Sequence, residues 1–145
     1  MAMVRAGLAL LLLLTGCSSA PTPGGGTETL PTKEPVTVMV ARTGGFAGVM
    51  DTITIKGDGS WTHPTALTVN GKLEPAQVTQ LQKLATDPRL VTEAAATPAP
   101  TKCNDTFDYT VTAGAVTISY TDCPSDVFQP VATKQLVEFV QDVVS

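Results

Sequence analysis

The stretch VTVMVARTGGFAGVMDTITI, residues 36–55, decides how this chain folds. Its first part, Val36-Thr37-Val38-Met39-Val40-Ala41, is rich in β-branched residues, which suit a pleated, half-buried surface. Its last part, Thr52-Ile53-Thr54-Ile55, alternates polar with apolar residues, the period-two pattern of a strand with one buried face. A glycine-rich turn separates the two, so they read as the strands of a hairpin. Further on, Gly57-Asp58-Gly59 is a tight-turn sequence. Ser60-Trp61-Thr62-His63 follows as a third strand that ends at Pro64.

The period then changes. Pro75 suits a first helical turn, and Val78, Leu81, Leu84 and Ala85 fall three or four apart until Asp87-Pro88 ends the run, which predicts an amphipathic helix. Thr92 to Lys102 is dominated by Ala, Pro and Thr and reads as a surface excursion. Phe107, Tyr109 and Val111 alternate with polar residues, and after Ala113-Gly114 so do Val116, Ile118 and Tyr120, giving a second hairpin. From about Pro130 to Val144, a helical face carries Leu136, Phe139, Val140 and Val143. Val36 to Ser145 is long enough for one domain and too short for two separate cores. The expected class is α+β: an antiparallel sheet of four to five strands in two hairpins, with two helices packed on one face.

Upstream of this domain, Arg5 precedes an apolar run from Gly7 to Leu14, which leads into Leu14-Thr15-Gly16-Cys17. A membrane-spanning helix needs about 20 apolar residues, so the shorter run reads as a processed export signal. The Leu-x-Gly-Cys ending resembles the lipobox of bacterial lipoproteins. That resemblance implies removal of residues 1–16 and a diacylglyceryl group, with further acylation such as palmitate, on Cys17. Two or more acyl chains hold a protein stably to a membrane, here expected to be the extracytoplasmic face of the cell membrane. Residues 18–35, SSAPTPGGGTETLPTKEP, contain one large apolar residue, Leu30, and read as a stalk continuing from Cys17.

Loss of residues 1–16 removes one of nine basic residues and none of the thirteen acidic ones, leaving eight against thirteen, or −5. An acidic chain without a basic cluster lacks the footprint of a nucleic-acid binder.

With Cys17 assigned to lipid, Cys103 and Cys123 remain, flanking the second hairpin. A turn at Ala113-Gly114 sets them opposite each other or within one residue of it, and outside the cytoplasm such a pair oxidises. A metal site would need further ligands, whereas the chain has one histidine, and a redox pair usually has Cys-x-x-Cys spacing. The structural disulfide is the favoured reading; no metal or cofactor is expected.

Motifs of catalysis are missing: there is no His-Glu-x-x-His, Gly-x-Ser-x-Gly or phosphate-binding glycine loop. His63 reads as structural. Asp105, Asp108, Asp122 and Asp126 read as turn, strand-edge and helix-start residues. The chain is not expected to be an enzyme. One segment stands apart, Arg42-Thr43-Gly44-Gly45-Phe46-Ala47-Gly48-Val49-Met50. Either it is a wide turn with Phe46 folded into the core, or it protrudes and presents Phe46 to a partner; spacing favours neither.

The order of pieces is similar to the emfourin family, small bacterial inhibitors that include the inhibitor of protealysin. Those pieces are an initial strand, Arg42-x-Gly44-Gly45-Phe46-Ala47-Gly48, a helix with Val78-x-x-Leu81-x-x-Leu84, Asp105-x-Phe107-x-Tyr109 and an apolar C-terminal helix. The resemblance spans residues 36–145. This chain adds the lipobox, the stalk, the insertion at residues 92–102 and the cysteine pair. The resemblance implies a monomeric protein that binds a secreted thermolysin-like metalloprotease without reaction. Phe46, framed by Gly44, Gly45, Ala47 and Gly48, would approach the pocket for a bulky apolar residue, and Arg42 or Asp51 would touch the rim. The alternative is a non-catalytic surface lipoprotein that binds a ligand or serves as an accessory subunit; an open apolar pocket lined by Trp61, Tyr109 and Tyr120 would favour it, and a projecting rigid loop at Phe46 the inhibitor.

The lipobox reading predicts that protein extracted from bacterial membranes lacks residues 1–16 and carries added acyl mass on Cys17. Cys17→Ser should leave the protein unlipidated and outside the detergent phase; mass spectrometry of both forms checks this.

Overall fold

A computed structural model describes residues 34–145 apart from Thr68. The expected leader, Cys17 and the stalk up to residue 33 lie outside the described residues. The elements run β1 (Val38–Gly44), β2 (Val49–Ile55), β3 (Ser60–Thr62), β4 (Asn70–Lys72), α1 (Pro75–Ala85), α2 (Arg89–Ala94), β5 (Phe107–Ala113), β6 (Val116–Thr121) and α3 (Val131–Val143). The class is α+β. The six strands form one sheet in the order β4-β3-β2-β1-β5-β6, and every neighbouring pair is antiparallel.

Strand alternation divides the sheet into two faces. Val38, Val40, Ile53, Ile55, Val111, Ala113, Ile118 and Tyr120 are buried on one of them. Met39, Thr52, Thr117 and Ser119 are exposed on the other. The helices cover the first face with Leu81 and Ala85 of α1, Leu90 of α2, and Leu136, Val137 and Val140 of α3. Trp61, Tyr109 and Tyr120 belong to the same core, the two tyrosine rings stacked with centroids 5.1 Å apart. The domain's first residue is fixed by a side-chain amide. Gln82 accepts from the Val36 amide at 2.7 Å and donates to its carbonyl at 2.9 Å, so α1 holds the chain where it enters the sheet.

Helix α1 begins as its sequence predicts, with Pro75 in the first turn and a capping box between Glu74 and Gln77. Helix α3 has no local side-chain cap, since Pro130 stands at its start. Glu93 of α2 takes that role from a distance, accepting from the amides of Ala132 at 2.8 Å and Thr133 at 2.9 Å and from the Thr133 hydroxyl at 2.6 Å. A carboxylate there satisfies orphan amides and suits the positive end of the helix dipole.

Three features differ from the sequence expectation. β4 and α2 make the sheet six-stranded and the helices three. β4 has only three residues, with Gly71 lying under Trp61 so closely that a Cβ would come 2.6 Å from the indole. Such a strand has no periodicity of its own to read. α2 begins directly after Asp87-Pro88 and runs into the Thr92–Lys102 segment expected as a surface excursion; Pro88 sits at its N-terminal edge, where a missing amide costs nothing.

The third difference is the register of the second hairpin. Ala113 pairs with Val116, so the turn residues are Gly114-Ala115, with Gly114 at φ 61°. Extending that ladder would set Thr106 against Cys123. Cys103 nonetheless forms a disulfide with Cys123, at a Cα–Cα distance of 5.8 Å. The chain between Cys103 and β5 therefore leaves the ladder, bending at Asp105, whose φ is 56°.

Removing the remote cap should be costly. Glu93→Ala leaves two amides and a buried hydroxyl without their acceptor, so a loss of about 1–3 kcal/mol is expected. Urea denaturation with an unchanged m-value would measure it.

Candidate functional site

The β1–β2 hairpin closes through Gly45-Phe46-Ala47-Gly48, with Gly48 N–H donating to the Gly45 carbonyl at 3.0 Å. Gly44, Gly45 and Gly48 have φ of 96°, 67° and 62°, a region that glycine enters without steric cost. Two of these glycines also permit close contact. A Cβ on Gly44 would lie 2.8 Å from the Thr106 carbonyl, and one on Gly45 would lie 2.7 Å from the Phe107 ring. The Gly45 amide donates to Thr106 O at 2.8 Å, so the tip is fastened to the start of β5.

Phe46 is 94% exposed at the end of this braced loop. Of the two conformations open to the sequence, the ring takes the projecting one. Met50 is 78% exposed on β2 close by, and Ala47 and Gly48 are also exposed. The tip is thus an apolar projection with little polar side chain of its own.

Below the tip the hairpin stem carries charge. Arg42 and Asp51 are cross-strand partners, on the sheet face that holds Val38, Val40 and Ile53. The Arg42 guanidinium donates to Asp51 Oδ2 at 3.3 Å and lies 4.9 Å from the Phe107 ring centroid, a cation–π arrangement. His63 Nε2 is 2.7 Å from Asp51 Oδ1, and the Thr65 hydroxyl donates to the same oxygen.

Burial works against ionisation of Asp51. Hydrogen bonds from Thr65 and His63 and the charges of His63 and Arg42 outweigh it, holding its pKa below the ordinary value of 3.8. With its side chain 12% exposed, Asp51 spends its acceptors inside the domain and braces the stem. Arg42 faces Phe107 and Asp51 and is 30% exposed. Sequence reasoning did not join His63 and Thr65 to this cluster. They reach it because β3 runs antiparallel to β2 and its chain then turns back past Asp51.

The remaining residues singled out by sequence are dispersed. Asp108 accepts from Thr121, Asp122 from Lys134 and Asp126 from the Lys102 amide. Trp61, Tyr109 and Tyr120 are at most 8% exposed and pack in the core; Trp61 also borders a shallow depression with Thr54, Ser60 and Asn70, to which neither tyrosine contributes. Among the described residues, no group of three or more His, Cys, Asp or Glu side chains could hold a metal ion. The insertion packs beside Thr121 and Phe128, leaving Phe46 uncovered. No protein-family model matches the sequence, and no curated protein matches it.

The Asp51 network predicts a particular pH dependence. A carboxylate whose folded-state pKa is depressed adds stability in full above its unfolded-state value, near 3.8. That stability is lost as pH falls through the lower folded-state value. Asp51→Asn should therefore have a lower thermal midpoint than the parent at pH 7, with the gap closing as pH is taken below 3.8. A gap that stays constant would exclude this linkage.

Proposed function

We propose that this chain is a membrane-anchored extracytoplasmic lipoprotein that inhibits thermolysin-like metalloproteases by seating its β1–β2 hairpin in the protease cleft. The observation that carries the reading is Phe46, almost wholly exposed on a tip whose backbone is fixed by Gly45 and Thr106. Exposing a large aromatic ring to water is unfavourable without a partner, and fixing its loop beforehand reduces the ordering cost of binding. The Arg42–Asp51–His63 cluster supports the same reading by stiffening the stem from within the domain. Inhibition of this kind needs no reaction: the hairpin occupies the space a substrate would take. The resemblance in the order Arg42-x-Gly-Gly-Phe-Ala-Gly, helix, Asp-x-Phe-x-Tyr and helix supplies the target class. An open pocket lined by Trp61, Tyr109 and Tyr120 would have favoured the ligand-binding alternative, and those rings are buried.

Titration of the non-lipidated Ser18–Ser145 protein against a thermolysin-like metalloprotease, with a subtilisin-type serine protease in parallel, tests this. Near-stoichiometric inhibition of the metalloprotease alone is expected. Phe46→Ala should weaken it by about 2 kcal/mol or more, roughly 30-fold, as truncation of an apolar anchor does. Equal inhibition by a folded Phe46→Ala variant would exclude the hairpin as the contact. No inhibition by the oxidised parent protein would exclude the inhibitor reading.

A further inference from the structure

The two edges of the sheet are unlike. β4 at one edge has three residues, and Lys72 at its end pairs with Asp58, so that edge is short and charged, as edges protected against pairing usually are. β6 at the other edge has six residues, Val116-Thr117-Ile118-Ser119-Tyr120-Thr121, paired with β5 without a bulge. It contains no charge and no proline.

The direction of its outer backbone groups follows from the ladder. The Asp122 amide donates to the Phe107 carbonyl, and hydrogen-bonded pairs alternate along an antiparallel ladder. Tyr120, Ile118 and Val116 therefore turn their amides and carbonyls toward β5, whereas Thr117, Ser119 and Thr121 turn theirs outward. The Thr121 carbonyl accepts from the Cys123 amide. Among the described residues, that leaves the amides of Thr117, Ser119 and Thr121 and the carbonyls of Thr117 and Ser119 aimed off the edge without a partner.

A groove of about 330 Å³ adjoins the Thr121 end of this strand, lined by Pro98, Pro100, Lys102, Thr121, Val127 and Phe128. Val127 is 93% exposed at its lip. Thr121 belongs to both features, so the groove adjoins the end of the edge. Its walls are tied together: Cys103, next to Lys102, is bonded to Cys123, two residues beyond Thr121, and the Lys102 amide donates to Asp126 at 3.0 Å.

We propose that the β6 edge and this groove form one docking site for an extended polypeptide segment, which adds to the sheet as a seventh strand and places an apolar side chain between Pro98, Pro100 and Phe128. The alternating outward amides and carbonyls call for a main chain with the same repeat, about 6.8 Å between like-facing residues. In strand addition the backbone supplies affinity and a pocket at a fixed position supplies selectivity. An uncharged edge and a mostly apolar groove favour an uncharged segment with β-branched residues leading to an apolar one. This site is separate from the Phe46 hairpin, so it stands or falls independently of the inhibitor reading.

The probe is a library of random twelve-residue peptides displayed on phage and selected on the oxidised Ser18–Ser145 protein, with the enriched peptides synthesised and titrated by fluorescence anisotropy. Enriched sequences should alternate β-branched residues ahead of an apolar residue. Binding should weaken at least tenfold in Ser119→Pro, which removes an outward amide and the hydroxyl bond to Thr110 but no main-chain hydrogen bond to β5, and in Val127→Asp; Ser119→Ala, which loses only the hydroxyl bond, should bind as the parent does. It should be unchanged in Phe46→Ala. Amide exchange followed by NMR gives a readout on the parent protein alone. Thr117, Ser119 and Thr121 amides should exchange fast when free and become protected with peptide, while Ile118 and Tyr120 are protected in both. Failure to enrich any peptide, or equal binding by Ser119→Pro and Val127→Asp, would overturn the proposal. Protection of Ser119 that grows with protein concentration in the absence of peptide would also overturn it, by assigning the edge to a second copy of the chain.

Discussion

Burial of Val38 and Val40 on β1 is the constraint on which the rest of the structure depends. β1 is an inner strand, and all seven of its residues have partners on both β2 and β5. With its hydrogen bonds committed on both sides, only its two faces remain to be assigned. The alternation Val38-Met39-Val40 assigns them. Ile53 and Ile55 of β2 and Val111 and Ala113 of β5 fall into register beside those valines, so one face becomes a continuous apolar surface that α1, α2 and α3 must cover. A slip of one residue would turn that surface to water.

The same alternation explains the charged stem. Continuing along β1 from Val38 and Val40, the next residue on the core face is Arg42, and on β2 the counterpart beyond Ile55 and Ile53 is Asp51. Both are therefore carried onto the apolar side of the sheet but toward the hairpin end. A half-buried charge needs a partner of opposite sign and hydrogen bonds for its remaining atoms. Asp51 receives them from Arg42, His63 and Thr65, and Arg42 rests on Phe107. On the opposite face, polar residues meet water directly, with hydroxyl pairs bridging β5 and β6 at Thr110–Ser119 and Thr112–Thr117, each 3.2 Å. The two faces thus differ in kind: one is closed by helices and an ion cluster, the other is an open hydroxyl surface.

Two devices tie distant parts of the chain to this frame. Glu93 caps α3 across about 40 positions of sequence, and the Cys103–Cys123 bond draws the insertion onto the end of β6. Gly44 pairs with Phe107 and Thr121 pairs with Asp108, so the hairpin tip and the groove beside Thr121 lie at the same end of the sheet. The opposite end carries the Gly114-Ala115 turn and the entry of the chain at Val36, which Gln82 clamps. Proposed contact surfaces and chain entry are therefore separated along the strands.

What the sequence determined by itself were features set by local periodicity and local chemistry. The two hairpins, the third strand at Ser60, the helix that Pro75 opens and the C-terminal helix follow from spacings of two or of three and four. The cysteine pair followed from its placement about the second hairpin. Sequence also marked the glycine-rich segment around Phe46 as unusual, yet could not say which way the ring points. That depended on Thr106 and Phe107, some 60 positions away, against which Gly44 and Gly45 pack. Only tertiary structure decided the features whose cause is contact at long range: the three-residue β4 fitted under Trp61, α2 holding Glu93 against α3, and the ladder that turns at Gly114-Ala115. The gathering of His63 and Thr65 on Asp51 belongs with them. Periodicity reports which face of an element is buried, but it carries no information about which distant side chain completes a hydrogen bond, and it is those bonds that shape the stem below the projecting tip.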